Sequence, residues 1–369
     1  MKIAIDNSPL TGGHSIRGVG LYTKELIKAL KKEETSKVQI DAVDIKSDLA
    51  SYDVVHIPYF DPFFLTLPLN KPKRLVVTIH DVTPLVYPRH YQPGVKGTLK
   101  FLLQKFLLKR VSAVVTDTEA SKKDIVRFLD VPQEKIFPIH LAPADHFAKI
   151  PQAALKKVKE KYQLPEKFVL YVGDVNYNKN IPNLIKACGE IGITLVICGK
   201  QALEIEEEGK DLRLLQGPRD WLRYIFNITH PQMAHYKEIF SELKKNKDVR
   251  RLGFVPDEDL VAIYNLATAY CQLSLYEGFG LPVLEAMACG TPVVAARTQA
   301  LVEIGEGAAV FVDPKGVKDM VRGLKSVFSS GPLSASLSAK GLEHVKQFSW
   351  KKTAQETIEV YEKICFKSN

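Results

Sequence analysis

The chain has 369 residues, of which 46% are hydrophobic and 25% are charged, and its formal net charge is +9. That composition is typical of a soluble globular protein, and the length favours two domains over one. The longest apolar-rich region, 101–115, is interrupted by charged side chains, which excludes it as a membrane span. The five cysteines lack metal-type spacing, which favours a reduced, cytoplasmic protein. The positive charge is compatible with a nucleotide, a nucleic acid or an anionic lipid as partner.

A glycine-rich loop follows the first predicted strand. The strand is Ile3 to Ile5, and the loop contains Gly12, Gly13 and Arg17 before a helix predicted over 21–32. This order of strand, glycine loop and helix does not have the full spacing of a dinucleotide fingerprint. The loop is therefore either a ligand-binding segment or a flexible connection.

Three short apolar strands are predicted next, at 53–57, 74–79 and 113–116. Each is followed by polar or helical sequence, which is the alternation of a parallel sheet covered by helices. Functional side chains in such folds gather at the carboxyl ends of strands. His80 directly follows the second strand, so it is a candidate site residue. Four other histidines of this half are interpreted as structural: His56, His90, His140 and His146.

Residues 94–110 are predicted to form a helix with a broad apolar face surrounded by five basic side chains. We favour the interpretation that this face packs against the sheet. The alternative is docking on an anionic membrane surface, as basic amphipathic helices do. In that case the protein would be cytoplasmic and peripheral at the inner membrane face.

A proline- and alanine-rich stretch, 137–150, separates two repeats of the strand–helix pattern, so we predict domains at 1–150 and 151–348. An amphipathic helix at about 349–369 is expected to pack back on the first domain. In the second domain, Lys179 stands immediately before a helix that Asn180 is predicted to cap. A cation is unfavourable at a helix N-terminus. An anionic ligand there would relieve the conflict.

The segment 201–247 is longer than a plain strand–helix–strand unit requires. It contains an acidic run and a mixture of aromatic and basic residues. A lid, an acceptor surface and an oligomer contact are all compatible with this composition.

The most informative stretch is 276–292, YEGFGLPVLEAMACGTP, in which Glu277 and Glu285 bracket a glycine-rich turn. Pro282 suits the first turn of a helix over 283–289, and Gly290 can end that helix in the left-handed conformation. A glycine turn that leads into a helix N-terminus favours phosphate. Two carboxylates beside it favour a ligand that also carries hydroxyls. The stretch therefore predicts a sugar nucleotide.

With these residues assembled, nearly the whole chain resembles the retaining glycosyltransferases of family 4. The most specific match is EGFGLPVLEAMACGTPVV, which is similar to the family's Glu-x7-Glu motif. The resemblance implies an α/β fold of the GT-B type, with two Rossmann-like domains facing across a cleft and a C-terminal helix crossing back to the first domain.

The resemblance also implies roles for the site residues. Glu285 would bind the ribose hydroxyls, Glu277 would meet hydroxyls of the donor sugar, and Lys179 would neutralise the diphosphate. His80 would lie beside the transferred sugar. The remaining donor-binding residues would be Gly12, Gly13, Arg17, Gly278, Phe279, Gly280 and Leu281.

One position departs from the family pattern. Many members have an arginine five residues before the lysine, where this chain has Asp174. Lys179 and the helix N-termini would then balance more of the phosphate charge, with Arg17 as a candidate to help.

Members of the family react without a metal, so the resemblance implies no metal. No cofactor is implied because the donor is itself a substrate, and no nucleic acid is expected as partner. The best choice of donor is GDP-mannose, with a glycan or lipid-linked acceptor in cell-surface polysaccharide synthesis. The alternatives are a UDP-sugar-dependent transferase and a non-catalytic sugar-nucleotide-binding protein. An NAD-dependent oxidoreductase fits poorly, because no complete glycine fingerprint is present.

Overall fold

The structure is a computed structural model that describes residues 1–11, 18–70, 72–206 and 231–366, without the side chains of 152, 204–206 and 231–233. It divides into two compact units. Unit 1 comprises Met1–Pro88, Gln92–Ala142 and Phe348–Asn369, and unit 2 comprises Arg89–Tyr91 and Pro143–Gln347. No helix in the described ranges is long and apolar enough to cross a membrane.

Unit 1 is built on a six-stranded sheet of order β2-β1-β3-β4-β5-β6 in which every pairing is parallel. The central strands β3, β4 and β5 are buried along their whole length, because helices cover both faces of the sheet. The strands are β1 Lys2–Asp6, β2 Gln39–Val43, β3 Val54–Ile57, β4 Leu75–Thr78, β5 Ala113–Thr116 and β6 Ile136–Pro138. The helices are α1 Gly18–Lys32, α2 Thr83–Val86, α3 Gly94–Leu108, α4 Glu119–Leu129 and, at the end of the chain, α13 Trp350–Phe366.

The C-terminal helix α13 belongs to unit 1, as predicted. Ser349 caps it, since its hydroxyl accepts a hydrogen bond from the Lys352 N–H at 3.2 Å. The Thr353 hydroxyl donates to the carbonyl of His140 at 2.7 Å, and the Arg74 side chain donates to the carbonyl of Ile364 at 3.0 Å. Helix α13 is therefore held near its start by His140 and near its end by Arg74, and both residues belong to unit 1.

Helix α3 bears out the favoured interpretation of 94–110 only in part. Its Leu107 and Leu108 belong to the hydrophobic core of unit 1, and Phe101 packs against that core. Most of its large apolar side chains nevertheless remain exposed, so the larger part of the apolar surface does not pack against the sheet.

Unit 2 repeats the architecture with a second six-stranded parallel sheet of order β12-β11-β10-β7-β8-β9. Its strands are β7 Phe168–Val172, β8 Thr194–Cys198, β9 Val249–Gly253, β10 Ala269–Gln272, β11 Val293–Ala296 and β12 Ala309–Val312. Its helices within the described ranges are α5 Gln152–Lys161, α6 Ile181–Ile191, α7 Pro231–Lys245, α8 Asp257–Leu266, α9 Leu281–Ala288, α10 Gln299–Gly305, α11 Val317–Ser329 and α12 Gly331–His344. The carboxyl ends of β7 and β10, which are neighbours in the sheet, deliver the site residues of this unit.

Candidate functional site

The glycine-rich turn after β10 has a backbone that only glycine accommodates. Gly280 has φ +115°, and a Cβ there would lie 2.5 Å from Cδ2 of Leu301. Helix α9 begins directly afterwards, with Pro282 in its first turn, as the sequence predicts. It ends at Gly290, φ +70°, where the N–H groups of Gly290 and Thr291 bond to the carbonyls of Met287 and Ala286. These two bonds form a Schellman motif.

Glu277 and Lys179 are brought together by this turn. The Lys179 Nζ lies 2.9 Å from both carboxylate oxygens of Glu277, although the two residues are 98 positions apart. The Lys179 side chain is 21% exposed and the Glu277 side chain is 9% exposed. Charge-assisted hydrogen bonds in so sheltered a place are strong and directional. The lysine ammonium is therefore held in a fixed position.

Gln272, the last residue of β10, also hydrogen-bonds to the Glu277 carboxylate. Its Nε2 donates to Glu277 Oε1 at 2.6 Å, and its Oε1 accepts a hydrogen bond from the Tyr270 hydroxyl. Because that bond fixes the amide orientation, the N–H groups of Gln272 are aimed at the carboxylate. Sequence reasoning missed Gln272, although a polar residue at the end of a buried strand is a signal that could have identified it.

Asn180 precedes α6 as predicted, but it does not cap the helix with its side chain. It adopts the left-handed conformation, φ +59°, and its Nδ2 donates to the carbonyls of Leu273 and Pro314 at 2.9 and 2.7 Å. The amide therefore ties the N-terminus of α6 to the segment after β10. Lys179 is positioned by this tie, and Glu277 supplies the negative charge that a cation at this helix end requires.

Asn178 fastens the same two segments from the other side. Its Nδ2 donates to the Tyr276 carbonyl at 3.1 Å, and its carbonyl accepts from the Leu275 N–H at 2.7 Å. Its Oδ1 accepts a 2.6 Å hydrogen bond from the hydroxyl of Tyr91, a residue of the short 89–91 segment that belongs to unit 2. The site loop is thus held by buried polar contacts on both flanks of Lys179.

Glu285 lies one turn into α9 and is almost fully buried. Its Oε2 accepts a 2.8 Å hydrogen bond from the Tyr264 hydroxyl, and the residue is 6% exposed. Burial raises the pKa of Glu285 to about 7, with the hydrogen bond from Tyr264 acting in the opposite direction. Near neutral pH this carboxyl can therefore either accept or donate a hydrogen bond.

In unit 1, His80 lies two residues after the end of β4 and forms a pair with Asp117, which directly follows β5. The His80 Nδ1 lies 2.9 Å from Oδ2 and 3.1 Å from Oδ1 of Asp117. The two residues meet because β4 and β5 are neighbours whose carboxyl ends lie at one edge of the sheet. Applying the strand-end rule to β5 would have predicted Asp117 as well.

The second ring nitrogen of His80, Nε2, is buried, and among the described residues it makes no hydrogen bond of normal geometry. Burial lowers the pKa of His80, but the charge and hydrogen bond of Asp117 outweigh burial, and the net pKa is raised. The Pro58 carbonyl contributes a smaller increase. With Nδ1–H directed at Asp117, protonation changes Nε2 from an acceptor into a donor.

A buried chain of hydrogen bonds lies beneath His80. His56 Nδ1 is 2.5 Å from the hydroxyl of Tyr361 on α13, and its Nε2 is 2.8 Å from the Thr78 hydroxyl. That hydroxyl is 3.0 Å from the Tyr22 hydroxyl, and the Tyr22 ring meets the His80 ring edge-on at 4.5 Å. Burial lowers the pKa of His56 to about 3, so this histidine is neutral and structural, in agreement with its interpretation from sequence.

Three predicted residues, Gly12, Gly13 and Arg17, lie outside the described residues, as does most of the 201–247 segment. Gly278 and the largely buried Phe279 lie in the turn beside Glu277, and Leu281 is the first residue of α9. The Asp174 carbonyl accepts a 2.5 Å hydrogen bond from the Tyr171 hydroxyl. Within the described ranges, no group of three or more His, Cys, Asp or Glu side chains is arranged to hold a metal ion.

Two family profiles match the chain. The profile described as "Glycosyl transferases group 1" covers residues 154–344, and the profile described as "Glycosyltransferase Family 4" covers residues 42–142. The first contains Lys179, Glu277 and Glu285, and the second contains His80 and Asp117.

Among curated proteins, the chain is similar to O-antigen chain mannosyltransferase B of Escherichia coli, with 27% identity over 98% of this chain and 99% of that protein. It is also 27% identical to the serotype-specific mannosyltransferase WbdA of Escherichia coli, over 89% of this chain. The match spans only 39% of that longer protein.

Among solved structures, sucrose-phosphate synthase from Thermosynechococcus elongatus superposes with a TM-score of 0.73 at 18% identity, covering 98% of both chains. Anabaena Alr3699/HepE, solved in complex with UDP and glucose, superposes with a TM-score of 0.68 at 15% identity, covering 97% of this chain and 98% of that one. At these identities the likeness establishes the fold alone. It confirms the predicted GT-B fold.

Proposed function

The chain belongs to the group 1 glycosyl transferases, and we propose that it transfers a sugar from a nucleoside diphosphate sugar, with retention of anomeric configuration. The donor we propose is GDP-mannose, and the acceptor is a glycan or a lipid-linked glycan of a cell-surface polysaccharide. Two curated relatives with mannosyltransferase names, at 27% identity, support this choice of sugar.

The observation that carries the proposal is the Lys179–Glu277 pair at the glycine turn before α9. A diphosphate leaving group develops negative charge, and fixed positive partners stabilise that charge without reorganising. Lys179 is such a partner, and the N-termini of α6 and α9 add backbone N–H groups. Glu277, which is paired with Lys179, is proposed to accept hydrogen bonds from hydroxyls of the donor sugar.

Glu285 is proposed to bind the ribose hydroxyls. A carboxylate in a buried place gains more from each hydroxyl donor than one in water does, because the low dielectric strengthens the bond. A bound ribose would also stabilise the ionised form and lower the pKa that burial raises.

His80 is proposed to contact the transferred sugar through Nε2, the ring nitrogen that Asp117 leaves available. In the proposed front-face reaction, the bond from the anomeric carbon to the diphosphate breaks as the bond to the acceptor oxygen forms. The acceptor proton passes to the departing phosphate oxygen. No side chain has to act as base, and no metal is part of the proposal, so activity should persist in a chelator.

A thermal-shift panel of GDP, UDP and ADP with their sugar conjugates tests the donor. A ligand that binds only the folded state raises the melting temperature by mass action. We expect the largest shift from GDP-mannose, with release of GDP when a suitable acceptor is added. If none of the nucleotides shifts the melting temperature, the sugar-nucleotide proposal is wrong.

A UDP-sugar donor is the second candidate, because a fold neighbour covering nearly the whole chain was solved in complex with UDP and glucose. A larger shift from UDP-sugars than from GDP-mannose would favour it. A non-catalytic binding protein is the third reading, and it predicts a nucleotide-induced shift without transfer to any acceptor in a glycan panel.

A further inference from the structure

The exposed large apolar side chains of the described residues are concentrated in one part of unit 1. Thirteen such side chains are exposed in all, and eight of them fall within 64–69 and 95–106. Isolated exposed apolar residues are ordinary, whereas a cluster marks an interaction surface. We call this cluster the apolar face, and it consists of Phe64, Leu65, Leu69, Val95, Leu99, Leu102, Leu103 and Phe106.

The helical part of the apolar face is a single stripe. Val95, Leu99, Leu102 and Phe106 follow the i, i+4, i+7, i+11 spacing that places side chains on one side of a helix. They are 59% to 64% exposed. At 1.5 Å per residue the stripe is about 16 Å long. The opposite side of α3 holds the helix on unit 1 through Gly97, Gln104, Leu107 and Leu108.

Gln104 builds the rest of the face by fixing the preceding loop. This fully buried side chain accepts hydrogen bonds from the Thr66 and Leu67 N–H groups at 2.9 and 3.1 Å and donates to the carbonyls of Asp61 and Phe64. Arg110 donates to the carbonyl of Leu69 at 3.0 Å. The loop is therefore fixed beside α3, with Leu67 buried and with Phe64, Leu65 and Leu69 exposed.

The charges around the face are positive. Helix α3 contains Lys96, Lys100 and Lys105 and no acidic residue, and Lys109 and Arg110 follow it. Lys96 and Lys109 are exposed on opposite flanks of the stripe, and the Lys100 ammonium lies 5.2 Å above the Phe64 ring. Two acids near this face have partners of their own. Asp130 pairs with Lys105 at 2.7 Å, and Asp61 accepts the Phe63 and Phe64 N–H groups.

We propose that the apolar face docks on an anionic phospholipid bilayer, with its leucine and phenylalanine side chains in the interface and its lysines at the headgroups. Helices with an apolar stripe and flanking cations bind at this depth, and anionic lipids attract each nearby cation. A second copy of the chain is a poorer occupant, because a two-fold contact would bring two cationic faces together. The proposal does not depend on which sugar is transferred.

Vesicle sedimentation with the full chain tests the proposal, using vesicles of phosphatidylcholine alone and of phosphatidylcholine with phosphatidylglycerol. We expect co-sedimentation only with the anionic vesicles, weakened by added salt. Leu102→Glu/Phe106→Glu should abolish it. Lys96→Gln/Lys100→Gln should lower the partition coefficient roughly 25-fold, at about fivefold per cation.

Matched controls keep the test specific. Val126→Glu replaces an exposed apolar residue of α4 in the same unit, and Lys31→Gln/Lys32→Gln removes two exposed cations at the end of α1. Both should bind vesicles like the unmodified protein, and circular dichroism should confirm that every variant is folded. Three results would overturn the proposal: no sedimentation of the unmodified chain, retained binding by the Leu102→Glu/Phe106→Glu variant, or a dimer in solution that this variant dissolves.

Discussion

The candidate site residues of unit 1 and of unit 2 occupy the same place in two similar sheets, yet they have different electrostatic character. In unit 2, Lys179 and Glu277 form a charged pair beside two helix N-termini, and a second carboxyl, Glu285, is buried nearby along α9. In unit 1, His80 and Asp117 form a pair at the carboxyl ends of β4 and β5, above a buried chain of hydroxyls and a neutral histidine.

The difference shows how one architecture supports two kinds of chemistry. A lysine carries its charge throughout the physiological pH range, so it suits a ligand that is always anionic. A histidine paired with a carboxylate changes its hydrogen-bonding role near neutral pH. We therefore assign charge neutralisation to the side chains of unit 2 and adjustable hydrogen bonding to those of unit 1. The predictions below test that division.

Lys179→Ala should have the largest effect. Removing one fixed partner of a developing negative charge costs roughly 100- to 1000-fold in kcat. Nucleotide affinity measured by calorimetry should fall as well. Lys186→Ala, on the helix α6 that follows Lys179 and paired with Glu238 at 3.3 Å, is the matched control and should retain activity. Equal activity of the two variants would show that Lys179 is not a site residue.

Glu285→Gln should stabilise the unliganded protein at high pH. The raised pKa means that the folded state holds its proton more tightly than the unfolded chain, so stability falls as pH rises from about 4.5 to about 7. The loss is about 3 kcal/mol. Urea unfolding of the variant should lack this pH-dependent loss, and the variant should bind nucleotide more weakly.

The control for this measurement is Glu190→Gln, an exposed residue of α6. Its stability should follow pH as the unmodified protein does. If the Glu285→Gln variant also follows the unmodified curve, burial does not control the ionisation of Glu285.

Asp117→Asn should reduce transfer roughly tenfold, because it removes a charged hydrogen bond that orients His80. It should also lower the pKa of His80, since the carboxylate is what raises it. The limb of the kcat–pH profile that reports His80 should therefore move to lower pH, while nucleotide affinity stays unchanged. Asp130→Asn, an exposed carboxylate at the end of α4, should alter neither. An unmoved profile in the Asp117 variant would contradict the proposed role of the pair.

Tyr361→Phe should have the smallest effect, about 1 kcal/mol of unfolding free energy, because His56 loses one buried hydrogen bond. Tyr52→Phe, whose hydroxyl bonds to Asp41 at a half-exposed position, should cost less. If Tyr361→Phe slows transfer by more than its loss of stability explains, the hydrogen-bonded chain that supports His80 includes Tyr361 on α13.

Most strands of both sheets could be predicted because a parallel sheet covered on both faces produces short, nearly uniform apolar runs. The strand predicted at 113–116 agrees with the structure at both ends, and those predicted at 53–57 and 74–79 each contain the observed strand with one extra residue at one or both ends. The edge strand β2 was missed because it lies half in solvent and alternates in burial. The three-residue β6 was missed because two of its residues lie in the proline-rich stretch that we interpreted as the separation between the domains.

The glycine turn and its helix were predictable for a different reason. The backbone at Gly280 and Gly290 has positive φ, which glycine adopts without steric cost, so the residue type itself indicates the conformation. Asn180 illustrates the limit of such local rules. The position at the helix N-terminus was correct, but its side chain bonds to carbonyls 93 and 134 residues away. A capping rule considers only the next three residues.

By itself, the sequence determined the alternation of strands and helices, the two glutamates around a glycine turn, and the lysine before a helix. Periodicity and residue type are local properties, and they survive in a linear chain. Only the tertiary structure decided which side chains meet. It pairs Lys179 with Glu277 and His80 with Asp117, and it brings the Gln272 amide within hydrogen-bond distance of the Glu277 carboxylate. It also left the stripe of α3 uncovered, because an apolar pattern specifies a face but not what that face will contact.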